Sequence, residues 1–275
     1  MTDQAVHSAV SASAARLSWQ AILAPLCTIA IAASLLGVAE YAARNQLVSP
    51  IILPAPTSVW KVLVEGMASG YFVDHLISTA GSLALGFTLG FLLAVSVAAI
   101  LSSSPFIEKV FTPFIIAFQS MPKVAIAPLI VLWLGFGEAS KIAIVVIVCF
   151  FPIMVNTMQG LQMRDRDHYE LFMSLGASRS QLFFHMRLPH AVPYIFAGIH
   201  IGVIFSLIGA VVAEFVGGSA GVGFAMLQAK AQFDVPAVYA CLLLLMALGL
   251  ILHFIMSFAE RRVSFWIHDM SRAAV

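Results

Sequence analysis

Charged residues are scarce in this chain. Only 10% of its 275 residues are Asp, Glu, Lys or Arg, whereas a soluble domain has about 25%. Hydrophobic residues make up 61% of the chain, and the mean hydropathy is +1.00. So few polar groups cannot cover a globule in water, and the composition therefore predicts an integral membrane protein. The 14 Lys and Arg nearly cancel the 13 Asp and Glu, so the net charge of +1 gives no basis for nucleic-acid binding.

Signals for catalysis and for bound cofactors are also missing. No glycine is followed by lysine, so the phosphate-binding loop Gly-x-x-x-x-Gly-Lys-Ser/Thr is absent. Cys27, Cys149 and Cys241 are scattered through apolar segments, which fits neither a metal site nor a disulfide framework. Residues 217–221 match the hydrolase string Gly-x-Ser-x-Gly, but that motif works only on a strand-to-helix elbow. We therefore predict a protein that is not an enzyme and that holds no metal or cofactor itself.

Long apolar windows without charge divide the chain. Each has at least the roughly 20 residues that a helix needs to cross the hydrocarbon core, and they cover residues 17–39, 75–107, 142–163, 188–213 and 235–259. A sixth stretch, residues 110–137, carries Lys123 near its middle and three prolines, and we interpret it as one kinked span. Continuous apolar runs favour helices over a β-barrel. The predicted fold is an all-α membrane domain of six transmembrane helices over residues 17–265, between tails 1–16 and 266–275.

The few basic residues predict the orientation of the domain. Six spans place both termini on one side, together with the 102–109 turn and the 160–191 loop. That side carries nine Lys and Arg, namely Arg16, Lys109, Arg164, Arg166, Arg179, Arg187, Arg261, Arg262 and Arg272. The other side carries four, namely Arg44, Lys61, Lys141 and Lys230. Because basic residues concentrate in cytoplasmic loops, we expect both termini in the cytoplasm.

The connecting segments differ in kind. Residues 164–189 place apolar side chains at helical spacing in two runs, with Gly176 between them as an expected C-cap, and this pattern predicts a cytoplasmic helical hairpin. Its apolar faces must be buried against its own membrane domain or against a cytoplasmic partner. On the opposite side, a Pro-rich segment leads into a short helix within residues 45–74, and a Gly-rich segment covers residues 217–223. Either of these is a simple turn or a contact with an external partner.

The hairpin resembles the coupling loop of permease subunits from bacterial ATP-binding-cassette (ABC) importers. Glu170, Gly176, Leu188 and Pro189 match that signature, whereas Leu171 and Phe172 replace its two alanines and Met186 replaces its isoleucine. The resemblance spans residues 50–265, and over this range the chain is similar to the permeases of the nitrate, sulfonate and taurine class. It rests on further motifs at residues 53–56, 127–129, 133–138, 151–152, 156–157, 160 and 213–214.

The resemblance implies a complete transport system. The chain would have the type I importer permease fold, also called MetI-like, in the bacterial inner membrane. It would pair with a second permease copy, as a homodimer or a heterodimer, on two cytoplasmic subunits that bind ATP and Mg, and receive solute from a periplasmic or lipid-anchored solute-binding protein. The cargo would be a small, anionic solute such as nitrate, a sulfonate or taurine, with a vitamin precursor or aromatic acid as alternatives. The coupling residues would be Glu170, Leu171, Phe172, Leu175, Gly176, Ala177, Leu188 and Pro189.

Polar residues inside apolar windows are the candidates for the translocation path, because they are costly in lipid. They are Gln119, Lys123, Asn156, Thr157, His200, Ser206 and Glu214. Lys123 either extends to the headgroups or attracts an anionic solute. Glu214 is a gate or docking contact or a simple interfacial charge, and the others line the path or form hydrogen bonds between helices. Two Gly-xxx-Gly patterns, from Gly86 and from Gly198, mark close helix packing within the chain or between copies.

Two other classes of protein compete with the importer subunit. A stand-alone transporter or channel driven by an ion gradient would be supported by inverted repeats, and the two halves of the chain show no convincing repetition. An intramembrane enzyme would need paired catalytic groups on facing helices. The cytoplasmic hairpin separates the three, because only the importer subunit requires it.

Overall fold

A computed structural model describes residue 23 and residues 26–162 and 166–264, and these residues are helical throughout apart from short connections. The predicted tails 1–16 and 266–275, with Arg16, Arg164 and Arg272, lie outside the described residues. The helices are α1 (Leu26–Arg44), α2 (Pro56–Ala68), α3 (Tyr71–Leu101), α4 (Pro105–Ser120), α5 (Ala127–Leu134), α6 (Glu138–Gln162), α7 (Arg166–Ser174), α8 (Arg179–Leu182), α9 (Leu188–Gly217), α10 (Val222–Ala231) and α11 (Val235–Val263). A 3-10 turn, Lys123–Ile126, precedes α5, and a π turn, Phe183–Arg187, precedes α9.

Among the described residues, five helical segments are long and apolar enough to cross a membrane, and α4 with the 3-10 turn and α5 forms a pair bent by 80° that is either a sixth, broken span or a re-entrant loop. The prediction of an all-α membrane domain is confirmed, and residues 110–137 contain the expected kink. The helix boundaries differ from the charge-free windows. α3 ends at Leu101 and a new helix begins at Pro105, while α6 includes Glu138 and α9 includes Glu214. Charged residues near a span's end can remain helical, so a charge-free window does not define where a helix stops.

The core of the domain is α6 packed between α3 and α9. Gly86 and Gly90 of α3 and Gly198 of α9 lie so close to α6 that an added Cβ would fall within about 3 Å of its atoms. At Gly90, for example, that Cβ would lie 2.5 Å from Cys149 Sγ. The glycines therefore provide contacts within the chain, which decides between the two interpretations of the Gly-xxx-Gly patterns.

Candidate functional site

The first arm of the hairpin, α7, ends as the sequence predicts. Gly176 has a left-handed backbone with φ of 72°. The Gly176 N–H donates to the Met173 carbonyl and the Ala177 N–H donates to the Phe172 carbonyl, both at 3.1 Å. This pair of bonds is the Schellman motif that glycine favours at a helix C-terminus. The prediction of Gly176 as a C-cap is confirmed.

The second arm begins with a capping box. The Gln181 N–H donates to Ser178 Oγ at 3.3 Å, and the Ser178 N–H donates to Gln181 Oε1 at 2.8 Å. The Ser-x-x-Gln spacing is a sequence signature of a helix N-terminus, and α8 begins at Arg179, the residue after Ser178. Two adjacent caps thus hold the four-residue turn between the arms in one geometry.

The second arm is continuous with the next membrane helix. Ser180–Gly217 is one continuous helical segment, which passes through the π turn and Pro189 into the membrane. The apolar window predicted over residues 188–213 begins with α9 at Leu188, and the structure adds that the hairpin arm runs into it without a break. Pro189 lies in the first turn of α9, and the Leu188 N–H bonds to the Phe183 carbonyl across the wider π turn. A proline at this position lacks its donor without ending the helix.

The two arms face different surroundings. In the first arm Leu171 is 54% exposed and Leu175 is 75% exposed, and Phe172 and Ala177 are half-buried. In the second arm Leu182 is only 7% exposed, and Leu188 and Pro189 are half-buried. Leu188 packs against the core residues of the membrane domain. A cleft of about 1030 Å³ separates the hairpin from the turn between α3 and α4, lined among others by Ile100, Ser103, Met173, Ala177, Phe183 and Phe184. The apolar face of α7 is thus available to a partner.

Lys123 lies at the bend of the broken span. Its Nζ donates to the Gln119 carbonyl at 3.0 Å and lies 5.3 Å from the centroid of the Phe151 ring. Phe151 follows Glu138 by 13 residues and precedes Gln162 by 11 in α6, which corresponds to roughly 20 Å and 16 Å along the helix. The half-exposed ammonium group is therefore level with the middle of α6, a helix long enough to cross a membrane.

Three other candidates bond within their own helix. Thr157 and Ser206 are fully buried and donate to the Ile153 and Val203 carbonyls, each at 2.7 Å. Asn156 donates to the Pro152 carbonyl at 2.8 Å. The expected hydrogen bonds between helices are wrong for these three residues, since small polar side chains satisfy themselves on the preceding turn. Gln119 is exposed on α4.

His200 makes the bond between helices that the sequence suggests. Its Nε2 lies 2.8 Å from Glu260 Oε2, which joins α9 to α11. The His253 ring of α11 lies 5.4 Å from the His200 ring, centroid to centroid. None of these groups is among the described contacts of Lys123.

Glu214 belongs to a buried network at the end of the spans away from the hairpin. Three successive N–H groups at the start of α10 each donate to a side chain: Gly221 to His75 Nδ1 at 3.0 Å, Val222 to Thr79 Oγ1 at 2.8 Å and Gly223 to Glu214 Oε2 at 2.7 Å. Thr79 Oγ1 also donates to Glu214 Oε1 at 2.7 Å. The first N–H groups of a helix have no partner inside it, and here α3 and α9 supply all three acceptors.

Lys141 completes this network from α6. Its side chain is 1% exposed, and Nζ lies 2.6 Å from Glu138 Oε1, 3.1 Å from Ser78 Oγ and 3.0 Å from the Ala220 carbonyl. Glu214 is also 1% exposed, so it is neither a simple interfacial charge nor an accessible docking contact. We call His75, Ser78, Thr79, Lys141 and Glu214 the distal polar cluster; it fixes the Gly-rich segment 217–223.

Sequence reasoning finds only Glu214 of this cluster. Thr79 and Glu214 are 135 residues apart, and no local pattern relates them. The available signal was the Gly-rich segment itself, since an added Cβ at Gly221, whose φ is 122°, would overlap the Glu214 carboxylate. A glycine that lies so close to a buried carboxylate cannot be replaced by a larger residue.

A bundle of helices long enough to span the membrane, with an apolar helical hairpin exposed at one end, defines a multi-pass integral membrane protein. The chain belongs to the family described as binding-protein-dependent transport system inner membrane component, whose model matches residues 86–265. The importer permease resemblance is therefore confirmed, and the chain is a permease subunit of an ABC importer rather than a stand-alone transporter driven by an ion gradient.

Relatives of this chain are named for the transport of different solutes. The chain is 33% identical over 217 residues to the formylaminopyrimidine transport permease protein ThiX of Halalkalibacterium halodurans, covering 79% of this chain and 86% of the relative. It is 30% identical to the putative aliphatic sulfonates transport permease protein SsuC of Bacillus subtilis, covering 80% of each. It is 31% identical to the taurine transport system permease protein TauC of Escherichia coli, covering 86% of this chain and 90% of the relative.

Solved structures support the fold. The chain matches a subunit of the inward-facing MetNI methionine ABC transporter with a TM-score of 0.61 at 19% identity, covering 70% of this chain and 95% of that one. It matches an amino acid ABC transporter with a TM-score of 0.60 at 18% identity, covering 73% and 97%. The predicted MetI-like fold is thereby confirmed.

Proposed function

We propose that this permease, as a homodimer in the bacterial inner membrane, forms the path for a small anionic solute. A separate ATPase, which binds ATP and Mg, docks at the hairpin on the cytoplasmic side, and both termini lie on that side too. A solute-binding protein delivers cargo at the opposite face. The observation that carries the choice of solute is the position of Lys123 at mid-depth. Relatives named for sulfonate and taurine transport support the same class of cargo.

The described contacts of Lys123 do not neutralise its charge, which leaves the attraction of an anionic solute as its function. A cation in the hydrocarbon region is costly, and it is usually placed toward a water-filled cavity or a partner. Here its described contacts are a backbone carbonyl and the face of Phe151, and neither carries a full negative charge. The ammonium group therefore retains the capacity to attract an anion, and it lies on the bend of a broken span, where irregular backbone is tolerated beside a cavity.

The hairpin supports the docking of an ATPase. The exposed side chains of Leu171 and Leu175 are four residues apart and share one apolar face at the end of α7, outside the spans, and exposed apolar faces mark protein contacts. The second arm is continuous with the membrane helix through to Gly217. A displacement of the hairpin is therefore transmitted along one helix into the bundle, rather than absorbed in a loop.

The first span supports a second copy of the chain. None of the most apolar 18-residue window of α1 is buried within the chain, whereas 44% of the corresponding windows of α6 and α9 is buried. Glu40 near its end accepts hydrogen bonds from the Thr57 N–H at 3.0 Å and from the Thr57 hydroxyl at 2.8 Å. A helix held at one end and otherwise uncovered gains van der Waals contacts when a second protomer covers it.

Reconstituted transport tests the choice of solute. The permease is purified with its co-purifying ATPase and solute-binding protein, and ATP-dependent uptake of methanesulfonate, nitrate and riboflavin into liposomes is compared. Lys123→Gln is expected to lower uptake of the anions about tenfold, for a lost interaction of about 1.4 kcal/mol, and to leave riboflavin uptake unchanged. Lys61→Gln, at an exposed lysine of α2, is the matched control. Transport of riboflavin and of neither anion by the wild-type complex would contradict the proposal.

A further inference from the structure

The pair His200–Glu260, which we call the inter-span pair, is an ionisable contact that solute binding and ATPase docking do not explain. The ion pairs Arg44–Glu40, Lys61–Glu65 and Lys141–Glu138 join residues three or four apart in one helix. His200 and Glu260 instead join two spans, and their side chains are 23% and 34% exposed. A polar contact of this kind in a membrane span is a functional candidate by default.

The inter-span pair lies toward the hairpin end of the spans, since Glu260 is in the last turn of α11 beside Arg261 and Arg262. An added Cβ at Gly198 would lie 3.0 Å from Asn156 Cβ, and one at Gly202 would lie 2.7 Å from Ile153 Cγ1, so His200 is level with the segment between these two α6 residues. That segment precedes the end of α6 at Gln162 by six to nine residues, or roughly 9–13 Å. His200 thus extends from inside the bundle to meet a carboxylate at the end of α11.

The helix that carries His200 is the one that continues into the hairpin. Ser180–Gly217 is a single helical segment, so a movement of the hairpin displaces His200 relative to α11. The two helices are also incompletely packed beside the pair. A cavity of about 300 Å³ lies between them, lined among others by His200, Leu207, Met246, Gly249, His253 and Met256. This space permits a shift of one helix along the other without a change in the tightly packed α6 contact.

A second partner for His200 lies on the same face of α11. His253 precedes Glu260 by seven residues, which is two helical turns, and its ring already lies 5.4 Å from the His200 ring, centroid to centroid. His200 thus sits between a carboxylate and an imidazole that both can form a hydrogen bond with it. Two alternative partners along one face give α9 two discrete positions against α11.

We propose that the inter-span pair is a positioning contact that holds the hairpin helix in the resting state, and that His200 exchanges Glu260 for His253 when the ATPase closes. This inference rests on the proposed docking of the ATPase at the hairpin. Loss of the Glu260 charge weakens the resting contact, because a neutral acceptor bonds His200 less strongly than a carboxylate, so the hairpin helix moves more readily without an external signal. Loss of the His253 imidazole removes the alternative contact, so the second position is harder to reach.

The two substitutions therefore change ATP hydrolysis in opposite directions. In liposomes that contain the permease with its co-purified ATPase, Glu260→Gln is expected to raise the basal rate about fivefold, the lower end of a typical coupling energy. His253→Phe, which keeps an aromatic ring, is expected to lower the rate stimulated by the solute-binding protein by a similar factor. The exchange His200→Glu with Glu260→His keeps a pair and is expected to restore the basal rate. Glu65→Gln, which breaks an exposed pair in α2, is the matched control.

The outcomes separate this inference from the proposed function. If the wild-type permease co-purifies with an active ATPase and Glu260→Gln leaves the basal rate unchanged, the positioning role is overturned and the proposed function stands. If both substitutions change the rate in the same direction, in proportion to the amount of assembled complex, the pair is only structural and the inference is again overturned. If no ATP-hydrolysing subunit co-purifies with the wild-type chain, the proposed function fails and the inference fails with it.

Discussion

Replacement of Gly176 tests the coupling role of the hairpin most directly. The backbone at this residue has φ of 72°, and an added Cβ would meet no atom within 4 Å. Gly176→Ala therefore creates no collision, and its whole effect comes from the left-handed conformation, which costs a residue with a Cβ about 1–2 kcal/mol. That energy lowers the population of the native turn relative to other hairpin geometries by a factor of about 5–30.

The expected result is a folded permease with a weakened partner contact. Because Gly176 lies outside the spans, the thermal stability of the membrane domain in detergent should stay near that of the wild type. The amount of ATPase that co-purifies should fall by the same factor of about 5–30 as the population of the native turn. Bulkier Gly176→Val should have at least as large an effect. Gly176→Asn should retain most of the ATPase, because asparagine tolerates the left-handed conformation.

A matched glycine provides the control. Gly81 lies in α3 without a positive φ, and an added Cβ there also meets no atom within 4 Å. Gly81→Ala is expected to leave both the stability and the co-purified ATPase unchanged or slightly improved. Full retention of the ATPase by Gly176→Val, with normal transport, would refute the reasoning that the Schellman turn presents the docking arm.

Further predictions concern packing inside the membrane domain. Thr79→Val preserves shape but leaves the Val222 N–H without its acceptor and Glu214 Oε1 without the Thr79 hydroxyl donor, while Glu214 Oε2 keeps the Gly223 N–H, so thermal unfolding in detergent should show a loss of about 1–3 kcal/mol; an unchanged melting temperature would show that the distal polar cluster does not stabilise the fold. Gly90→Val places a side chain against Cys149, where an added Cβ already lies 2.5 Å from Sγ, and such overpacking costs about 1–3 kcal/mol or more. The yield of monodisperse protein should fall for Gly90→Val and not for Gly81→Ala, and equal yields would contradict the close packing of α3 on α6.

The hairpin shows how far local sequence patterns extend. Gly176 predicts its own turn because the C-cap depends on the φ that glycine permits, and the Ser178 capping box is equally local. Pro189 does not reveal that the helix continues through it, because a proline ends a helix in most contexts, whereas here the π turn before it lets the helix continue into the membrane. The difference arises from the backbone hydrogen-bond pattern of the preceding residues, which sequence periodicity does not report.

The candidate path shows where sequence reasoning stops. An apolar window identifies Thr157 and Ser206 as polar residues in lipid, but not that both are fully buried and bonded to their own helix. It identifies Lys123, but its depth follows only from the 80° bend and from the contact with Phe151 of another helix.

The sequence by itself determined the membrane class, five of the apolar spans, the kink near Lys123 and the hairpin with its glycine cap. Each of these depends on composition or on residues within a few positions of one another, and hydrophobic thickness and backbone preference act at that range. Only the tertiary structure decided which polar residues meet. It placed Lys141 and Glu214 in one buried network, joined His200 to Glu260, and made the hairpin continuous with a span. Those contacts depend on helices far apart in the chain packing at a particular rotation and depth, which no local pattern specifies.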